Sequence, residues 1–217
     1  TDILINYPQI VDFSGHSHAP INDPRSAHQR HFSAFGTGTL SYFELDEFDK
    51  THGTIPPEDS SAAQFLIVEA DAQGRVRVYP YDVLGSRFFP YTWEIDEPWN
   101  IDSFKYTDAR YVTAEKPYFE NAGIFVENIT ADGCDITFTQ ATGKERPDSY
   151  DIYILSGDGL VKKHVNITSR YYLSDMPAAL TEHIGGLKAG TEYKIKIVAN
   201  SFWRTRSDAL TARFATL

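Results

Sequence analysis

From residue 121 onward, apolar and polar positions alternate with period two in short runs separated by turn residues. Ile124 and Val126 share one face of the first run. Cys134, Ile136 and Phe138 alternate with Asp135, Thr137 and Thr139 in the second. Tyr150, Ile152 and Ile154 form a third, after a polar loop at 144–148. A turn at Ser156–Gly159 leads into Leu160–Ile167. Tyr193, Ile195, Ile197 and Ala199 share one face of a further run, which carries Lys194 and Lys196 between them; Leu210, Ala212 and Phe214 close the chain. This spacing predicts about seven short strands in roughly 97 residues, the density of a two-sheet antiparallel sandwich.

Leu187-Lys188-Ala189-Gly190-Thr191-Glu192-Tyr193 sharpens that expectation. It reads as a tyrosine corner, in which a Tyr near the start of a late strand hydrogen-bonds back to upstream backbone, with Gly190 supplying the unusual turn angles. On these residues the region is similar to fibronectin type III domains, with Phe138 where such domains often place a Trp.

The first region is less uniform. Ile10-Val11-Asp12-Phe13 reads as a buried strand running into Ser14-Gly15, and Leu40–Leu45 as a second strand. Lys50–Ala63, rich in Gly, Pro and Ser, reads as a flexible loop. Phe65–Ala70 and Arg75–Tyr81 flank Asp71-Ala72-Gln73-Gly74, a hairpin whose Gly suits a left-handed position. Phe88–Ile95 is a further strand, and the stretch from Glu97 to Pro117 is irregular. Helix is scarce throughout.

Composition adjusts the picture in three places. Thirteen Tyr and 14 Phe favour β-structure. The net charge of −10 is uneven: residues 1–120 hold 19 Asp/Glu and 9 Lys/Arg, residues 121–217 hold 11 of each. An acidic first half argues against binding of a nucleic-acid backbone. The single cysteine, Cys134, excludes an intrachain disulfide, and no apolar run is long enough for a membrane span. The first residues carry no secretory signal pattern.

One segment reads as chemistry: Phe13-Ser14-Gly15-His16-Ser17-His18-Ala19-Pro20. Neutral imidazoles ligate Zn, Fe and Mn. Two of them one residue apart, where a strand runs out, can address one small volume, although ordinary surface or core histidines share this spacing. A hydrophobic strand, Gly-His-Ser-His, a polar loop and then Gly36-Thr37-Gly38-Thr39-Leu40 resembles the end of calcineurin-like metallophosphoesterases. The resemblance implies that His16 binds one ion and His18 the other of a dinuclear Zn, Fe or Mn centre for phosphoester hydrolysis. Arg25 follows in the loop. Its planar fork suits a substrate phosphate, and pairing with a carboxylate such as Asp23 is the competing reading. His28 and His31 lie in the same loop and read as solvated residues; His52, His164 and His183 are scattered.

The family's other motifs, Asp-x-His, Gly-Asp and Gly-Asn-His-Asp/Glu, do not occur around this pair, and only 15 residues precede His16. The expectation is therefore mainly β. Residues 1–120 are the C-terminal sheet portion of a metallophosphoesterase fold with a linker, and 121–217 an immunoglobulin-like, fibronectin type III β-sandwich. Such a piece of a longer polypeptide is expected to hold two of the metal ligands, to bind no ion tightly and to be inactive alone. Its expected partners are a phosphoester substrate in the intact protein, the N-terminal part of the same polypeptide, and a second copy through exposed strand edges. A hydrolase fused to fibronectin modules implies an extracytoplasmic location. The alternative function is a non-catalytic extracellular binding or adhesion module, with Tyr171, Tyr172, Phe202 and Trp203 as exposed aromatic contacts. Asn128-Ile129-Thr130 and Asn166-Ile167-Thr168 match the glycosylation sequon and carry little weight, because such triplets arise by chance.

Overall fold

A computed structural model describes residues 3–45, 55–121 and 123–217. The chain divides into two units: Thr1–Thr113 with Tyr172–Asp175, and Ala114–Tyr171 with Met176–Leu217. Strand dominates both, and the only α-helix among the described residues is a single turn, α1 (Arg110–Thr113).

In the first unit, β1 (Val11–Ser14), β2 (Ala27–Gln29) and β3 (Ser33–Gly36) form a sheet in the order β1-β3-β2. β1 runs parallel to β3, with Val11 opposite Ser33 and Ser14 opposite Gly36, whereas β2 is antiparallel. The expected buried strand at Ile10–Phe13 is corrected here. The strand forms one residue later and lies at the sheet's end, with Asp12, Phe13 and Ser14 exposed. An edge strand has one neighbour and can leave its apolar side chains half-covered; Phe13 stacks on Phe35 at 5.7 Å.

Leu40–Leu45 forms no strand. Phe43 and Leu45 are buried nonetheless, while Leu40 is exposed. Within the segment Glu44 N–H donates to His18 O at 3.2 Å, and just before it Gln64 N–H donates to Thr39 O at 2.8 Å. Lys50–Thr54 of the expected loop lie outside the described residues. The rest contains a short 3-10 turn at Asp59–Ser61.

A second sheet joins β4 (Gln64–Ala70), β5 (Val76–Asp82) and β6 (Arg87–Phe88) in that order, with β7 (Trp93–Ile95) also on β5. The expected hairpin is present: Gly74 has φ +79°, and its N–H donates to Asp71 O at 3.0 Å. The single strand expected at Phe88–Ile95 is split in two. β5 alternates strictly, burying Val76, Val78, Pro80 and Asp82. Val78 packs with Ile21, Phe35 and Trp93 in one core. Phe65, Tyr81 and Phe88 cluster on the other face, with ring centroids 5.0 and 5.1 Å apart. Two buried glutamines brace this unit. Gln29 Oε1 accepts from the Lys105 and Tyr106 N–H groups, and Gln64 Oε1 accepts from Ile21 N–H at 2.7 Å.

The second unit is a two-sheet sandwich. Its strands are β8 (Ile124–Glu127), β9 (Cys134–Thr139), β10 (Ser149–Ser156), β11 (Val161–Thr168), β12 (Ala179–Ile184), β13 (Glu192–Asn200) and β14 (Leu210–Ala215). The orders are β8-β9-β12 and β11-β10-β13-β14, antiparallel throughout. Seven strands split three and four in this order make a fibronectin type III-like β-sandwich. Ile136, Phe138, Ile152, Ile195 and Ile197 are fully enclosed between the sheets, and burial of side chains of this kind contributes about 1.5–3 kcal/mol each. Cys134 is buried among them, and burial followed by the Asp135 charge pushes its thiol upward. The tyrosine corner is formed: Lys188 N–H donates to Tyr193 Oη at 3.0 Å, and Gly190 has φ +58°.

β12 had no clear signature in the pattern. Its inward positions are Leu180, Glu182 and Ile184, and the charged middle residue breaks the alternation. A second correction concerns Tyr171, Tyr172, Phe202 and Trp203, expected as exposed contacts. All four are at most 5% exposed. Tyr171 meets Phe202 edge-on at 4.7 Å, Trp203 Nε1–H donates to Glu145, and Tyr172 Oη–H donates to Pro57 O. Large aromatics in loops supply much of the apolar area available there, so burial takes them. Among the described residues no helix is long and apolar enough to cross a membrane.

Candidate functional site

The Gly-His-Ser-His segment is a tight turn at the end of β1. Parallel pairing delivers Ser14 opposite Gly36, and Thr37 N–H donates to Ser14 O at 3.0 Å. Gly15 follows where a Cβ would lie 2.9 Å from Thr37 Oγ1, which makes glycine the residue that fits. The turn closes through His18 N–H donating to Gly15 O at 3.2 Å, and His18 adopts the left-handed φ of +50°. That conformation is uncommon for a residue with a side chain.

The two imidazoles end in different surroundings. His16 is exposed and His18 half-buried. The His18 ring meets Tyr42 edge-on at 4.6 Å, and its Nδ1 is buried with no hydrogen-bond partner among the described residues. Burial, and then the Glu44 carboxylate, raise the Tyr42 hydroxyl above its ordinary value. A buried imidazole nitrogen without a partner costs free energy unless something binds it. A cation fits the donor set, since neutral imidazole is a common ligand for transition ions. The fit is partial: among the described residues no three His, Cys, Asp or Glu side chains are grouped to hold an ion.

Arg25 is committed locally. Its Nε donates to Asp23 Oδ1 at 2.9 Å and its Nη2 to Asp23 Oδ2 at 2.6 Å. Asp23 also accepts from Arg25 N–H at 2.8 Å, capping the short turn Pro24–Ser26. Of the two readings of Arg25, this geometry is the carboxylate pair. His28 Nδ1 lies 4.0 Å from Asp108, and His31 is exposed. His52 lies outside the described residues.

A polar cluster that spacing did not reveal sits on the outer face of the four-stranded sheet. Asp151 is buried and accepts four side-chain contacts: His164 Nε2 at 2.8 Å, Asn166 at 3.1 Å, Asn200 at 3.2 Å and Arg206 at 2.6 Å. Burial alone would raise its carboxyl, but the hydrogen bonds and the Arg206 charge outweigh that and hold it below the ordinary carboxylate value. The His164 ring stacks on Tyr153 at 4.5 Å, and Lys196 lies over the Tyr153 ring at 5.7 Å. The only available signal was the outward phase of Asp151 in β10; its partners come from β11, β13 and the loop before β14. Asn166, in one sequon, is engaged here, and Asn128, in the other, donates to Asp135 at 2.7 Å.

No protein-family profile matches the chain, and no curated protein does. Solved structures similar to parts of it are β-sandwich proteins. A two-domain fibronectin type III segment of chicken tenascin matches at 15% identity over 65% of this chain and 65% of its own, with a TM-score of 0.37. Domains d3–d4 of the rat CD45 extracellular region match at 12% identity over 79% of this chain and 70% of theirs, TM-score 0.37. A computationally redesigned β-sandwich protein matches at 24% identity over 48% of this chain and 96% of its own, TM-score 0.35. The fold assignment rests on strand order and register rather than on these overlaps.

Proposed function

We propose that the second unit is a non-catalytic binding or adhesion module working outside the cytoplasm. The observation that supports it is the sandwich itself: a packed core locked by its tyrosine corner, with exposed loops and charged strand faces left for contact. The outer face of β13 presents Lys194 and Lys196, both exposed. The test is biolayer interferometry of the whole chain against neutral and acidic polysaccharides and extracellular proteins. Saturable binding that survives the double change His16→Ala, His18→Ala and falls with Lys194→Glu plus Lys196→Glu is expected. Binding that vanishes with the histidine changes, or none across the panel, overturns the reading.

The buried Nδ1 of His18, without a partner among the described residues, favours a second reading. In a longer polypeptide that supplies further ligands, His16 and His18 hold part of a dinuclear divalent-metal site for phosphoester hydrolysis, with Arg25 near the substrate. Bound ions would there lower the pKa of a water and neutralise developing charge. The chain's own part is to aim two imidazoles from one turn. Here the expected results are weak Zn²⁺ retention after dialysis and no aryl phosphate turnover above a metal blank. Turnover by these 217 residues that survives His16→Ala and His18→Ala removes this reading.

A further inference from the structure

The turn Ser156–Gly159, between β10 and β11, and the adjoining ends of β13 and β14 enclose a cleft of about 460 Å³. Leu155 and Ala215, in phase with Lys194 and Arg213 on the outward side of their strands, are its apolar side chains; Tyr193 and Phe214, also in the lining, belong to the enclosed core, where their rings stack at 5.6 Å. Its mouth is open: Gly159 turns the chain at φ +82°, and a Cβ on Gly157 or Gly159 would meet nothing within 4 Å. Two cations line it, Lys194 and Arg213, which sit directly opposite each other in the β13–β14 register. Like charges facing each other across strands are destabilising. Neither side chain has an ion pair or side-chain hydrogen bond among the described residues, whereas neighbouring Lys196 lies over Tyr153. Glu192 is the one carboxylate in the lining.

We propose that this cleft binds a small amphiphilic anion, an aryl or short alkyl group bearing one carboxylate or sulfate. The cationic pair supplies a planar fork and a point charge for a single oxyanion. Leu155 and Ala215 take the apolar body of the ligand, which keeps that body small. Glu192 leaves a net charge of about +1 at the lining at neutral pH, which favours a monoanion over a polyanion. Lys194 also belongs to the contact face proposed above; Arg213 and the Ser156–Gly159 turn do not, so loss of small-anion binding on Arg213→Gln alone separates the cleft from the adhesion reading.

The test is an NMR titration of the whole chain in chelator with benzoate, phenyl sulfate and, as neutral control, benzyl alcohol. Saturable shifts at Gly157, Gly159, Lys194 and Arg213 are expected for at least one anion, and the stronger arm separates planar from tetrahedral oxyanions. Lys194→Gln with Arg213→Gln should weaken binding roughly tenfold or more, while Glu192→Gln should strengthen it. All three side chains are exposed, so an unchanged melt verifies that the variants fold. The proposal is overturned by no saturable shift with either anion, by equal affinity in the double variant, or by benzyl alcohol binding as tightly.

Discussion

Asp151 shows how much one buried carboxylate organises. Its two oxygens satisfy donors from His164, Asn166, Asn200 and Arg206, on three separate segments. Asp151→Asn replaces one acceptor by a donor facing donors, and should destabilise the sandwich by about 1–3 kcal/mol in urea denaturation. The pH dependence has a definite sign. A carboxyl depressed in the folded state contributes stability above its unfolded value of about 3.9, and that contribution is lost as pH falls through the lower folded value. Wild type should therefore lose stability from about pH 4 downward more steeply than Asp151→Asn, and parallel slopes would refute the assignment. Tyr193 poses a simpler case. Tyr193→Phe removes the acceptor of Lys188 N–H and should lower stability by about 1–2 kcal/mol at unchanged denaturant slope.

At the scale of elements, the sheets are shaped by where backbones come close. Gly133 leads into β9, and a Cβ there would lie 2.5 Å from Ile184 O and 3.1 Å from Gly185 Cα at the end of β12. The obstructing atoms are backbone and cannot swing aside as a side-chain tip would. Gly133→Ala should force the β9–β12 pair apart at a cost of about 1–3 kcal/mol, with a lower melting midpoint and faster amide exchange in β12. An unchanged midpoint would mean that the two strands are not paired to their ends. The β4–β5 hairpin is held by local chemistry instead. Asp71 accepts from the Gln73 and Arg75 N–H groups, and the Arg75 side chain closes on it at 2.6 Å.

For the whole molecule, the second unit has the attributes of an independent folding domain: one enclosed core, both sheets paired within the unit, and a size near the usual single-domain range. Residues 114–217 expressed alone should show a β-type circular dichroism spectrum and one cooperative thermal transition. A broad transition, or one that sharpens only when residues 1–113 are present, would show that the core is not self-sufficient.

Several of these features were legible along the chain. Period-two runs at Cys134–Thr139, Ser149–Ser156 and Glu192–Asn200 assign core and solvent faces strand by strand, because a pleated strand sends successive side chains to opposite sides. Gly190 with Tyr193, Gly74 after Asp71, and Gly15 before two histidines are equally local, since each depends on backbone freedom at one position. Other features needed the tertiary structure. These are the strand hidden by Glu182, the exposed face of β1, the burial of Tyr171 and Trp203, the preference of Arg25 for Asp23, and the isolation of His18 Nδ1. The partners of Asp151 and the opposition of Lys194 to Arg213 belong with them. Backbone propensity and periodicity act over a few residues, so sequence alone determined the strands and their faces. Which strand neighbours which, and in what register, is settled by packing between segments far apart in the chain, and only the tertiary structure decided which charges and rings meet.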